Sequence, residues 1–107
     1  MRLEHYPEEK LKKEILEIIG KYLDINECAV FFFGSRVDGR GDESSDIDIG
    51  IEGDKPMPGH ILEKIREEIE NLPVLYSFDV VDFSRMPEKF KETASLKEYI
   101  DREKIRV

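Results

Sequence analysis

The N-terminal part of the chain has apolar residues at the spacing of an α-helix. Between residues 8 and 23 they recur every three or four positions, with charged residues between them. Pro7 precedes this segment and suits the first turn of a helix, and Gly20 lies near its end. The spacing predicts an amphipathic helix over residues 8–23, with its apolar face in a core.

Two short segments of different pattern follow. Residues 28–33 are continuously apolar and stop at Gly34, which predicts a strand buried on both faces. Residues 46–52 alternate strictly, with isoleucine at positions 47, 49 and 51 and aspartate, glycine or glutamate at the positions between, which predicts a strand with one face in the core. The segment between them, residues 34–45, is polar and rich in glycine and serine. It predicts a loop, with a short helical turn after Ser35.

A second amphipathic segment connects the second predicted strand to a third. Residues 60–71 predict a helix that Pro73 stops, and residues 74–83 predict a strand. A strand, a crossover helix and a strand normally give parallel neighbours with a right-handed connection. Strands 46–52 and 74–83 should therefore lie side by side and run the same way. The predicted fold class is α/β (α+β), with helices packed on a small mixed β-sheet.

The C-terminal part of the chain carries a weaker pattern. From Pro87 to the end it predicts two short helices, broken near residues 93–95, and Ser95 with Glu98 fits a capping box. The chain contains no repeat, low-complexity tract or linker. Residues 1–107 are therefore expected to form a single domain, long enough for one modest core.

The net charge of the chain argues against some classes of binding partner. Its formal net charge is −8. Extended binding to DNA or RNA needs a basic patch, and docking on anionic lipid also needs positive charge, so neither is expected. Residues 1–5 lack the apolar run of a signal peptide, and no apolar stretch approaches the length of a transmembrane helix. The sequence predicts a cytoplasmic protein.

The candidate chemistry lies in Gly34-Ser35, followed after ten residues by Asp46-Ile-Asp48. Gly34 directly follows a buried strand, where backbone can approach a ligand closely. Ser35 supplies a hydroxyl and opens a predicted helical turn, whose free N–H groups favour phosphate. Asp46 and Asp48 project from the same face of a strand, where their charges repel. A hard cation removes this repulsion, so Mg²⁺ with substrate phosphates is the expected ligand.

A third carboxylate is expected from the neighbouring strand, which offers Asp79 and Asp82. These two lie an odd number of positions apart and so face opposite sides. If the strands are parallel, acids near the starts of both strands lie level with one another. Asp79 is nearer the start and is the favoured candidate, whereas Asp82 is expected to point away or to end the strand.

These residues resemble the signature of the DNA polymerase β-like nucleotidyltransferase superfamily. The matching segments are residues 33–36 (Phe-Gly-Ser-Arg), Gly39, residues 45–49 (Ser-Asp-Ile-Asp-Ile) and residues 78–82, which resemble the family's third-carboxylate strand. The short length and the unbroken spacing resemble the minimal nucleotidyltransferases, which are the antitoxin halves of HEPN–MNT toxin–antitoxin pairs. Asp38 departs from this pattern, because many relatives carry a small or basic residue there.

The resemblance implies a nucleotidyltransferase fold and a role for each site residue. It implies that Gly34 and Ser35 hold the triphosphate, that Asp46 and Asp48 bind two Mg²⁺ ions, and that Asp79 binds one of them and helps to activate the attacking hydroxyl. The implied reaction transfers AMP from ATP, with loss of pyrophosphate, to a tyrosine on a partner HEPN toxin.

Other interpretations of individual residues stay open. Asp46 and Asp48 could be acids on a solvent-facing strand edge. Arg36 either neutralises phosphate charge or forms a surface ion pair. Ser45 either contacts phosphate or caps the turn before the strand.

Two further functions also stay open. One is a binding antitoxin that neutralises its partner by occlusion, without catalysis. The other is a nucleotidyltransferase with a small-molecule acceptor, although the sequence offers no second domain to hold one. The sequence leaves undecided the base preference and whether the chain forms a homo-oligomer.

Overall fold

The structure is a computed structural model that describes residue 1, residues 3–91 and residues 96–100. In chain order its elements are α1 (Glu8–Gly20), β1 (Cys28–Phe33), α2 (Ser35–Asp38), β2 (Ile47–Gly53), α3 (Gly59–Glu70), β3 (Phe78–Asp82), a 3₁₀ turn (Phe83–Arg85), α4 (Glu88–Lys91) and β4 (Glu98–Tyr99). Within these described ranges, no helix combines the length and apolar character needed to cross a bilayer.

The strands form one mixed sheet in the order β3-β2-β1-β4. β2 and β3 are parallel neighbours, and α3 lies between them in the chain. β1 runs antiparallel to both of its neighbours, β2 and β4. The predicted small mixed sheet and the predicted parallel pair are therefore confirmed.

One face of the sheet packs against the two long helices. Ile47, Ile49 and Ile51, the apolar positions of the predicted alternation, are almost fully buried there. They share a core cluster with residues of α1 and α3, such as Ile15 and Ile65. Burying one such side chain contributes about 1.5–3 kcal/mol, so this layer is a main source of stability.

The opposite face of the sheet carries a separate aromatic cluster. The centroid of the Phe83 ring lies 4.9 Å from those of Phe31 and Phe33, edge to face in both cases. Phe31 and Phe32 are both fully buried although they point to opposite faces, which confirms burial on both sides of β1. Gly50 leaves the space for Phe31, because a Cβ there would lie 2.3 Å from the ring.

Side chains of α3 occupy the outer edge of β3. Arg66 donates from Nη2 and Nε to the Val80 carbonyl, at 2.9 and 3.1 Å. The Phe78 N–H donates to Glu70 at 3.3 Å. These contacts satisfy backbone groups that would otherwise be open to pairing with another chain. They also attach the strand that carries Asp79 to the crossover helix.

Two elements are shorter in the structure than the sequence predicts. The first helix ends at Gly20, and the chain then turns with 3₁₀-type bonds such as Lys21 N–H to the Ile18 carbonyl. The third strand begins at Phe78 and not at residue 74, because the chain bends before it, with Leu75 89% exposed. High β-propensity alone does not make a strand where no neighbour is in reach.

The prediction of a second C-terminal helix is wrong at residues 98 and 99. These form β4, which pairs with β1, and the Ile100 N–H extends the pairing to the Val30 carbonyl at 2.9 Å. β1 would otherwise present an open edge, and its unpaired backbone groups favour a strand over local helix propensity. Ser95, the predicted helix cap, lies outside the described residues.

Gly50→Ala should lower the free energy of unfolding by about 1–3 kcal/mol, because the added methyl overlaps the locked Phe31 ring. Urea unfolding measures the loss. Gly59→Ala is the matched control: its Cβ would meet open space at the start of α3, so stability should stay equal or rise slightly. Equal unfolding midpoints for both variants would contradict this account of the aromatic face.

Candidate active site

The parallel pairing of β2 with β3 brings two of the predicted carboxylates together. Asp48 lies directly opposite Asp79 in the register, so both side chains project from the same face of the sheet. Asp46 immediately precedes β2 and is exposed, as is Asp79, whereas Asp48 is half-buried. The structure thus places the three acids at the same end of two neighbouring strands.

The environment of Asp48 shows the electrostatic cost of this arrangement. Burial, followed by the charges of Asp79 and Asp46, raises the pKa of its carboxyl to about 6. The three acids therefore interact as one site. Ionisation of Asp48 is therefore less favourable than that of an ordinary aspartate, and nearby positive charge would offset this difference.

Asp82, the other acid of β3, has a different role. It ends the strand, as predicted, and its buried carboxylate accepts a hydrogen bond from the Met57 N–H at 2.9 Å. Arg85 also pairs with it at 3.3 Å. Asp82 is therefore a structural acid that fixes the loop after β2, on the side of the sheet away from Asp79.

Gly34 is required by its contact with Asp48. Its φ is +81°, a left-handed value that glycine adopts without strain. A Cβ at this position would lie 1.9 Å from Oδ2 of Asp48. The backbone at the end of β1 therefore touches the central carboxylate, which only glycine allows.

Two serine hydroxyls approach each other across the loop between β1 and β2. A Cβ on Gly41 would lie 2.8 Å from Oγ of Ser35 and 2.9 Å from Oγ of Ser45. Ser45 Oγ accepts a hydrogen bond from the Asp42 N–H at 3.0 Å, so it caps the turn before β2. Gly41 was not among the predicted site residues, and the glycine content of the loop is the signal in the sequence that points to it.

Arg36 fastens this loop from within. Its side chain is only 3% exposed and pairs with Glu43 at 3.6 Å. Nε donates to the Ser45 carbonyl at 2.7 Å, Nη2 donates to the Glu43 carbonyl at 2.6 Å, and the guanidinium lies 5.0 Å from the centre of the Tyr76 ring. Of the two interpretations left open, these contacts favour an ion pair, though a buried one. The contacts of Arg36 with Glu43 and Ser45 position the segment that leads into Asp46.

Asp38, which departs from the family pattern, is neutralised locally. Arg40 Nη2 lies 2.6 Å from its carboxylate, and the hydrogen bonds from Arg40 hold the Asp38 pKa below its usual range. Its charge is therefore partly offset within the loop.

The donor set fits Mg²⁺ in chemical type. Three aspartates offer hard oxygen ligands, and a divalent cation would offset the burial and the repulsion that raise the pKa of Asp48. Within the described part of the chain, no three potential ligands are close enough to form a complete metal site. A bound triphosphate would therefore have to supply further oxygens, as is usual for Mg²⁺.

Asp48→Asn should stabilise the protein in chelator at ~pH 8 and leave it nearly unchanged at ~pH 4. The folded-state pKa of Asp48 is raised to about 6, above its unfolded value of ~3.9, so stability falls as pH rises through that window. Asparagine cannot ionise and avoids this loss. Because the carboxylate is partly exposed, solvent screening limits the gain to roughly 1 kcal/mol, or a few degrees in Tm.

Thermal unfolding at both pH values measures this difference. Asp54→Asn, an exposed acid in the loop after β2, is the control and should shift Tm equally little at each pH. A large loss of Tm for Asp48→Asn at ~pH 8 would mean that Asp48 is structural.

The chain is similar to proteins of a known family. Residues 8–100 match the family described as polymerase beta, nucleotidyltransferase. The "probable protein adenylyltransferase MntA" of Haemophilus influenzae is 27% identical over 84 residues, which are 77% of this chain and 74% of the relative.

Solved structures agree in fold. A crystal structure of a toxin–antitoxin with AMP-PNP has a TM-score of 0.65 and 13% identity, and the match covers 88% of this chain and 77% of that one. The structure of a tri-AMPylated Shewanella oneidensis HEPN toxin in complex with MNT antitoxin has a TM-score of 0.64 and 12% identity. That match covers 86% of this chain and 70% of the other. With the family match over most of its length, this chain belongs to the polymerase β-type nucleotidyltransferases.

Proposed function

We propose that this protein is an antitoxin that transfers AMP from ATP to a tyrosine hydroxyl of a partner HEPN toxin, with Mg²⁺. The observation that carries the proposal is the pairing of Asp48 with Asp79 beside the backbone of Gly34. The similarity to a probable protein adenylyltransferase of Haemophilus influenzae and to an antitoxin complex with an AMPylated toxin supports a toxin protein as the acceptor. Transfer from ATP implies a cytoplasmic location.

Each site residue has a role in the proposed reaction. The acceptor oxygen bonds to the α-phosphorus of ATP, the bond from that phosphorus to the bridging oxygen breaks, and pyrophosphate leaves. Gly34 and Ser35 hold the triphosphate through backbone N–H and hydroxyl groups. Asp46 and Asp48, with Asp79, would hold two Mg²⁺ ions, which supply charge neutralisation at the triphosphate when bound. Asp79 orients the hydroxyl and accepts its proton.

The exposure of the site supports a macromolecular acceptor. Asp79 lies on an edge strand and is exposed, so an acceptor can reach it from outside. A small-molecule acceptor normally needs a cavity that encloses most of its surface. A tyrosine on the surface of another protein brings its own surroundings and fits this open edge better.

The alternative is a catalytically silent antitoxin that acts by occlusion. This alternative keeps the partner and removes the need for ATP. Nucleotide binding and transfer to the toxin distinguish the two functions.

The chain should bind ATP in the presence of Mg²⁺ and at least about tenfold more weakly in chelator, because three carboxylates repel a bare triphosphate. Titration calorimetry under both conditions measures the two Kd values. Ca²⁺ in place of Mg²⁺ controls for simple charge screening, since it prefers looser coordination by more oxygens. Equal affinity with and without a divalent cation would rule out the metal-bridged site.

Incubation of the chain with its cognate HEPN toxin, ATP and Mg²⁺ should add AMP to the toxin. Asp79→Ala should still bind the toxin but reduce the transfer rate at least about 10²-fold, because the base for the hydroxyl is lost. Asp54→Ala, an exposed acid distant from Asp79 along the chain, is the control and should transfer normally.

Intact-protein mass spectrometry of the toxin measures the transfer, and toxin-induced growth arrest measures protection. If the wild type and Asp79→Ala protect cells equally well and neither adds mass to the toxin, the occlusion mechanism is correct and the enzymatic proposal fails.

A further inference from the structure

A single row of side chains crosses the site face of the sheet. Asp79 lies opposite Asp48, and Asp48 lies opposite Phe33. The register of β1 with β4 pairs Phe31 with Tyr99, and continuing it by two residues brings Lys97 level with Phe33. Opposed residues project from the same face. The row therefore runs from two carboxylates through an aromatic ring to the backbone position of Lys97.

Lys97 is held on this face by the aromatic cluster. Its Nζ lies 4.7 Å from the centre of the Phe31 ring and 5.4 Å from that of Phe83. Both rings are fully buried, so they form a fixed support under the lysine. Cation–π attraction and contact with the aliphatic stem order the side chain, while the residue as a whole keeps partial exposure.

Other basic residues around the site are already neutralised. Arg36 pairs with Glu43, and Arg40 pairs with Asp38. Lys91, at the far end of the same face, pairs with Glu52 at 3.0 Å.

Lys97 differs from these residues. Within residues 1, 3–91 and 96–100, it makes no ion pair with a carboxylate. Its ammonium therefore remains available to an anion on the face that carries Asp48 and Asp79.

The order of the row relates Lys97 to the direction of the proposed reaction. In an in-line displacement the attacking and leaving oxygens lie on opposite sides of the phosphorus. If Asp79 faces the attacking hydroxyl, the leaving pyrophosphate departs on the other side of Asp48. Lys97 lies on that side, two strand spacings or about 10 Å from Asp48 at the level of the backbone.

We infer that Lys97 is a substrate-binding residue whose ammonium binds the β- and γ-phosphates of the nucleotide and the pyrophosphate that leaves. The inference rests on the proposed function, because it assigns Lys97 to the nucleotide of that reaction. The three aspartates and the triphosphate carry more negative charge than two Mg²⁺ ions neutralise. One ordered lysine on the leaving-group side reduces this excess as charge develops there.

Lys97→Met tests the inference, since methionine keeps an apolar stem over the rings and removes the charge. With Mg²⁺ present, it should raise the Kd for ATP and for pyrophosphate roughly tenfold, the effect of one charge-assisted hydrogen bond. The Kd for AMP, which lacks these phosphates, should change less than about twofold. Lys97→Arg should restore most of the affinity for ATP.

Lys13→Met is the matched control, because Lys13 is exposed on α1 and the substitution makes the same change in net charge. It should leave all three Kd values unchanged. Melting temperatures of the variants check that each remains folded. The dependence of ATP affinity on salt should also be shallower for Lys97→Met than for the wild type.

The outcomes separate this inference from the proposed function. If the wild type binds ATP with Mg²⁺ but Lys97→Met binds it equally well, the role of Lys97 is refuted and the proposed function stands. If Lys97→Met weakens the binding of AMP as much as that of ATP, Lys97 does not act on the outer phosphates, and the inference again fails. If the wild type binds neither ATP nor pyrophosphate, both proposals fail together.

Discussion

The parallel pairing of β2 with β3 is the constraint on which the candidate site depends. It places Asp48 opposite Asp79, two like charges on adjacent strands, although such pairs destabilise a sheet. Burial, and then the charge of Asp79, raise the pKa of Asp48. The fold tolerates this pair of charges because the other face of the same strand, with Ile47 and Ile49, is buried against two helices. The stability gained by burying one face of β2 thus offsets the charge repulsion on its other face.

Close backbone approach is the second requirement of this arrangement. Gly34 lets the end of β1 touch the Asp48 carboxylate, and Gly50 leaves room for the Phe31 ring against β2. At Gly41, the absence of a Cβ leaves room for the hydroxyls of two serines. Each glycine therefore serves a contact on the site face or in its loop. Larger side chains would separate the parts that the proposed reaction needs together.

An acidic protein can handle an anionic nucleotide only if positive charge is concentrated where the phosphates lie. Arg36 does not supply it directly, because its guanidinium binds the carbonyls of the loop and pairs with Glu43. Its effect is to fix the approach to Asp46. In the proposed reaction, cations held by the aspartates and the ammonium of Lys97 carry the electrostatic part.

The sequence by itself determined the type and order of the main helices and strands up to residue 82 and the candidate set of Asp46, Asp48 and Asp79, because periodicity dictates which side chains share a face. Chain order also predicted the parallel pair, since a crossover helix constrains the connection. Only the tertiary structure decided that residues 98–100 join the sheet, and that Lys97 lies level with the acids. These outcomes depend on an open strand edge and on aromatic rings distant in sequence, which local patterns do not encode.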